Sequence, residues 1–119
     1  MPLIFYPFGL LNFELPLKRT DGFMETALAI KNFVERAEKD SRLGPMHLSL
    51  YLAIFYCWLI QGGEGPARVS GKELMSIAKI GGLGSLYKSL RELHEYGYIG
   101  YRPSYNAREK SSVLLPLLE

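Results

Sequence analysis

The chain has 119 residues, 48% of them apolar, and a formal net charge of +2. That length fits one compact domain, the apolar share excludes a disordered chain, and a core of this size needs no disulfide or metal to hold it. The lone Cys57 excludes an internal disulfide and points to a reducing, cytoplasmic setting. The net charge is too mild to identify a partner, but its distribution is uneven. Between Lys79 and Lys110, six basic residues (Lys79, Lys88, Arg91, Arg102, Arg108, Lys110) meet only Glu92, Glu95 and Glu109, a net of +3. Between Glu25 and Gly44, four basic and four acidic residues cancel.

Residues 1–23 carry Pro2, Pro7 and Pro16, so no helix is expected to run through them. They lack the basic start and unbroken apolar stretch of a signal peptide. The reading is a leader or flexible arm dispensable for the fold, with Met24 as the natural start. Leu3, Ile4, Phe5, Tyr6, Phe8, Leu10 and Leu11 are nevertheless much apolar surface for a free tail. The domain is then residues 24–119, with Leu118 and Glu119 open to being appended residues.

Glu25 to Lys39 reads as an amphipathic helix whose inner stripe is Ala27, Ile30, Val34 and Ala37, widened by Leu28 and Phe33. Gly44 and Pro45 break the chain and start a second helix, Met46 to Gln61, that is apolar almost all round. A membrane span needs about 20 apolar residues, and this run is shorter and holds His47 and Ser49, so a central core helix is expected. Cys57 within it reads as a small buried hydrophobe. After Gly62, Gly63, Gly65 and Pro66, the segment Ala67 to Val69 is long enough for one short strand.

Ser70-Gly71-Lys72-Glu73 is a capping box, opening a helix with Leu74, Ile77 and Ala78 inward that stops near Ile80. Gly81 to Gly84 forms a tight turn. Ser85 then caps a helix running to Tyr96 and ending at Gly97. Tyr98 to Arg102 is a strand, Pro103 to Ser111 a loop, and Ser112 to Leu117 a returning strand on which Val113, Leu115 and Leu117 alternate.

This order, with Leu90-Arg91-Glu92-Leu93-His94-Glu95-Tyr96-Gly97-Tyr98-Ile99 as its sharpest piece, resembles the winged helix-turn-helix superfamily over Pro45 to Leu117. Pro103-Ser104-Tyr105-Asn106 followed by Ser111-Ser112-Val113 is similar to the wing of small regulators and replication-initiation modules of phages and mobile elements. The glycine turn departs from the more usual serine/threonine turn. The resemblance implies a mainly α fold with a β-hairpin wing and an extra N-terminal helix. It also implies double-stranded DNA as the partner, transcription regulation as the role, and no catalysis.

The residues themselves fit that expectation. Leu86, Leu90 and Leu93 share one face of the Ser85 to Tyr96 helix, leaving Tyr87, Lys88, Arg91 and Glu95 on the other. Arg91 is the candidate for a bidentate guanine contact, and Lys88 for a phosphate or guanine. Tyr87 is a candidate for a thymine methyl or a phosphate. The backbone after Gly84 and Ser85 offers N–H groups to a phosphate. On the wing, Arg102, Arg108 and Lys110, with Tyr105 at the tip, are candidates for phosphates or the adjacent minor groove.

Other readings stand beside these. Lys88–Glu92 and Arg91–Glu95 are also the pairs of an ordinary solvated helix face. The module could instead bind a protein or serve replication initiation, or the extra helix could enclose a small ligand near Phe33, Tyr56 and Trp58. His47 and His94 complete no metal site, the glycine runs lack a phosphate-loop lysine, and no cofactor is called for. A homodimer is expected, joined through the first helix.

Overall fold

The computed structural model describes residues 20–105 and 109–116. Residues 1–19, Arg108, Leu117 and the terminal Leu118 and Glu119 lie outside the described residues. Four helices and a three-stranded antiparallel sheet follow one another as α1 (Thr20–Glu38), α2 (Pro45–Ile60), β1 (Ala67–Val69), α3 (Gly71–Ala78), α4 (Leu83–Glu95), β2 (Gly100–Arg102) and β3 (Ser111–Leu114). The protein is thus mainly helical with a small sheet. Among the described residues no helix is long and apolar enough to cross a membrane.

α1 differs from the expectation in extent and in face. It starts at Thr20, taking residues 20–23 out of the supposed leader; Pro16 is far enough upstream to permit the extra turn. The buried residues are Ala29, Phe33 and Ala37, while Ala27, Leu28 and Val34 are exposed. Aromatic packing sets this rotation. The Phe33 ring stacks on Tyr51 at 3.7 Å and meets Tyr98 edge-on at 5.6 Å. One turn on, the Arg36 guanidinium donates to the Tyr96 carbonyl (2.9 Å) and covers the Tyr98 ring. Gly97, at φ +86°, accommodates this twice over, since a Cβ there would also stand 3.2 Å from Arg36 Nη2.

α2 is central on one side only. Leu50, Tyr51, Ala53, Ile54, Cys57 and Trp58 are buried against α3, α4 and β1. Leu48, Leu52, Tyr56 and Ile60, one turn apart in succession, form an outer stripe that stays exposed, with Leu52 at 57% and Ile60 at 58%. The expectation of a helix buried all round is corrected accordingly. Of the three residues named for the alternative ligand pocket, Tyr56 is exposed, and Phe33 and Trp58 are buried. An open apolar groove of about 370 Å³ runs between α1 and α2, lined by Ile30, Phe33, Val34, Leu43, Leu48 and Leu52. Cys57 is buried as expected, and burial pushes its thiol pKa up.

The strands lie in the order β1-β3-β2, with Ala67 opposite Val113 and Tyr101 opposite the same residue from the other side. Each edge is closed by a helix side chain. Gln61 at the end of α2 clamps Arg68, accepting from its N–H and donating to its carbonyl, both at 2.8 Å. On the other edge, His94 Nδ1 accepts from the Tyr101 N–H at 3.0 Å. On β1 both outward-facing groups of Arg68 are thereby satisfied, and on β2 the Tyr101 N–H is.

Candidate nucleic-acid interface

The site is built on α4, so its local sequence chemistry comes first. Ser70 caps α3, its hydroxyl accepting from the Glu73 N–H at 3.1 Å, as expected. Leu74 and Ala78 face inward, but Ile77 is exposed, because α3 is only two turns long and its far side meets no other element. The turn after it is made by Lys79 at φ 62°, a left-handed residue, rather than by the glycines that follow. Ile80 is thereby sent into the core, and α4 starts at Leu83 with Gly82 as its N-cap. Ser85 is consequently not the cap: it lies inside the first turn, exposed, beside an equally exposed Gly84. A Cβ at Gly84 would meet nothing within 4 Å, so no packing inside the protein requires a glycine there.

Leu86, Leu90 and Leu93 are buried, and Tyr87, Lys88, Arg91 and Glu95 occupy the open side. Glu92 is drawn away from that side. Gly44 N–H donates to His47 Nδ1 (2.9 Å), which leaves the proton of the neutral ring on Nε2, and Nε2 donates to Glu92 Oε1 at 2.8 Å. The second oxygen of Glu92 is 3.9 Å from Lys88 Nζ, but the Lys88 side chain is 70% exposed, and so loose a pair in solvent constrains it little. Arg91 forms no ion pair among the described residues; the alternative Arg91–Glu95 bridge is not made. The basic groups of α4 are available to a partner, while the nearest carboxylate is held against α2.

A notch of about 520 Å³ separates α4 from the β2–β3 hairpin. α4 contributes Tyr87, Arg91 and His94, at i, i+4 and i+7, and the hairpin contributes Tyr101, Tyr105 and two serines among others. The Tyr87 hydroxyl rests on Gly71, where a Cβ would come within 2.6 Å of it. Its ring is thus a wall between α3 and α4, and its hydroxyl points to α3 rather than outward. Burial raises the Tyr101 pKa and a hydrogen bond with Ser111 opposes it, while nearby Tyr87 and Tyr105 add to the rise and Arg91 works against it.

Among the described residues, Arg102 and Lys110 do not line the notch with Arg91. Arg102 lines an adjoining depression with Pro66, Ser112 and Leu114, which shares His94 and Tyr101 with the notch. Lys110 Nζ reaches back to Glu73 Oε1 at 3.5 Å, tying the hairpin to the first turn of α3. Arg108 lies outside the described residues. His94, which the sequence offers only as an incomplete metal ligand, stands three residues after Arg91 on the same face. Among the described residues no three metal-binding side chains cluster.

The fold and site define a small helical protein with one basic helix face beside a β-hairpin. Comparisons with family models, curated proteins and solved structures find no match.

Proposed function

We propose that the chain is a winged helix-turn-helix protein that binds double-stranded DNA, acts as a transcriptional regulator in the cytoplasm, and catalyses no reaction. α3 and α4 are the helix-turn-helix, α4 is the helix that reads the major groove, and the β2–β3 hairpin is the wing. One observation carries this reading. The leucine face of α4 is buried while Lys88 and Arg91 stay open, and Glu92, the residue after Arg91, is diverted to His47. A merely solvated helix face has no need of that diversion. The first turn of α4, without a side-chain cap at Gly82, adds backbone N–H groups suited to a phosphate. Gel retardation of a mixed-sequence duplex tests the reading. Retention by the native protein and loss on Lys88→Ala with Arg91→Ala supports it, and no retention at low salt refutes it.

On the same reading the protein binds as a homodimer through the uncovered face of α1 and α2. The second copy is the occupant that fits, because exposed Val34, Leu48 and Leu52 project from the same face as the groove they line. A two-fold interface requires such self-complementarity. Along α1, Lys31 and Glu35 already pair at 3.0 Å and supply charges of both signs to the rim. This face belongs to the side of α2 turned away from α4 and leaves the basic helix free.

A further inference from the structure

We infer that the notch between α4 and the β2–β3 hairpin seats one unpaired nucleotide of a DNA strand, with its base against Tyr105 and its phosphate on Arg91. This deepens the DNA-binding reading and rests on α4 meeting DNA.

The lining of the notch states the chemistry of its guest. Three phenol rings converge there from three different segments, Tyr87 from α4, Tyr101 from β2 and Tyr105 from the loop beyond it. With them stand the Arg91 guanidinium and the His94 imidazole, while Ser111 Oγ is already used by the Ser104 N–H at 3.0 Å. No carboxylate lines the notch, so a cationic guest finds no partner and an anionic one finds a guanidinium. His94 Nδ1 is occupied by the Tyr101 N–H, so the neutral ring carries its proton on Nε2 and has a donor left to give. Flat aromatic faces, a guanidinium and an imidazole N–H in about 520 Å³ match a planar heterocycle joined to a phosphate.

The rings also say that the base must be unpaired. A base inside a duplex is stacked on both sides and shows a protein only its edges. An aromatic side chain can stack only on a base whose face has been freed. Tyr105 is 95% exposed, an uncovered ring at the mouth of the notch, whereas Tyr87 and Tyr101 are fixed by Gly71 and by the strand. A bulge, a nick or a melted step beside the site would supply the missing face. A fully matched duplex would leave the notch to the sugar-phosphate chain alone.

The test compares three DNA probes in one buffer: a matched duplex, the same duplex with one unpaired adenine, and the single strand. The bulged duplex should bind tighter than the matched one, by between about fivefold and 150-fold, the range expected for stacking one base. Tyr105→Phe should keep that ratio and Tyr105→Ala should bring it to one. The exposure of Tyr105 makes loss of folding an unlikely complication, and an unchanged melting temperature verifies it. A ratio of one in the native protein, or a preference that survives Tyr105→Ala, overturns the inference and leaves duplex binding standing. Tyr105-dependent binding of the single strand or bulge with none to the matched duplex overturns the duplex reading and keeps the seat. Binding to none of the three overturns both.

Discussion

Arg91 and Asp40 illustrate opposite uses of charge. Arg91 is unpaired among the described residues and open to the notch, so Arg91→Ala should leave stability unchanged and weaken duplex binding by about 1–3 kcal/mol. Affinities for duplexes differing at single positions would check it: loss of preference at one base pair marks base reading, and uniform loss marks a phosphate contact. Asp40 is consumed by structure. Its carboxylate accepts from Arg42 at 2.8 Å and from the Tyr98 hydroxyl at 2.9 Å, and the Arg42 hydrogen bond chiefly holds its pKa well below the ordinary value of 3.8. A carboxylate depressed on folding stabilises fully above its unfolded pKa, and that contribution is lost as pH falls from there through the folded value. Melting temperature should therefore fall below about pH 4, and Asp40→Asn should show a smaller part of that acid loss. Equal acid loss in both proteins would show that the contact carries no pH dependence.

Among the elements, α4 was the most legible and α1 the least, for physical reasons. Leu86, Leu90 and Leu93 repeat at helical spacing and Gly97 supplies the left-handed stop, so period and turn chemistry agree on face and end. On α1, Ala, Leu, Val and Phe are spread over more than half the circumference, and periodicity alone cannot choose among them. The choice is made by Tyr51 and Tyr98, distant in sequence, which accept the Phe33 ring. The α3–α4 turn, expected over Gly81 to Gly84, begins instead at Lys79, because that residue takes the left-handed conformation that ends α3. The closing side chains Gln61 and His94 were equally invisible, since their partners are backbone groups of strands brought close only by folding. If Phe33 locks α1 to the core, Phe33→Ala should cost about 3–5 kcal/mol by urea denaturation. A cost below about 1 kcal/mol would make α1 a peripheral attachment.

For the whole molecule, the face left open by α1 and α2 and the face offered by α4 make a pair of demands. The first should be met by a second copy, so the native protein should sediment at twice its 13.5 kDa mass at micromolar concentration. Leu52→Lys, which puts a charge at the middle of the outer stripe, should return it to 13.5 kDa without lowering its melting temperature. A native mass of 13.5 kDa throughout would contradict the dimer. Pairing also answers a shortage of contact, because one such module buries only about 600–1,000 Å² on DNA. The central claim is that the α4 face and the hairpin hold duplex DNA through its phosphates. The most direct measurement is the affinity for a mixed-sequence duplex at a series of salt concentrations. About four phosphate contacts should give a logarithmic slope near −4, a loss of roughly 200-fold between 50 and 200 mM salt. A slope near zero, or no binding at the lowest salt, would contradict the account.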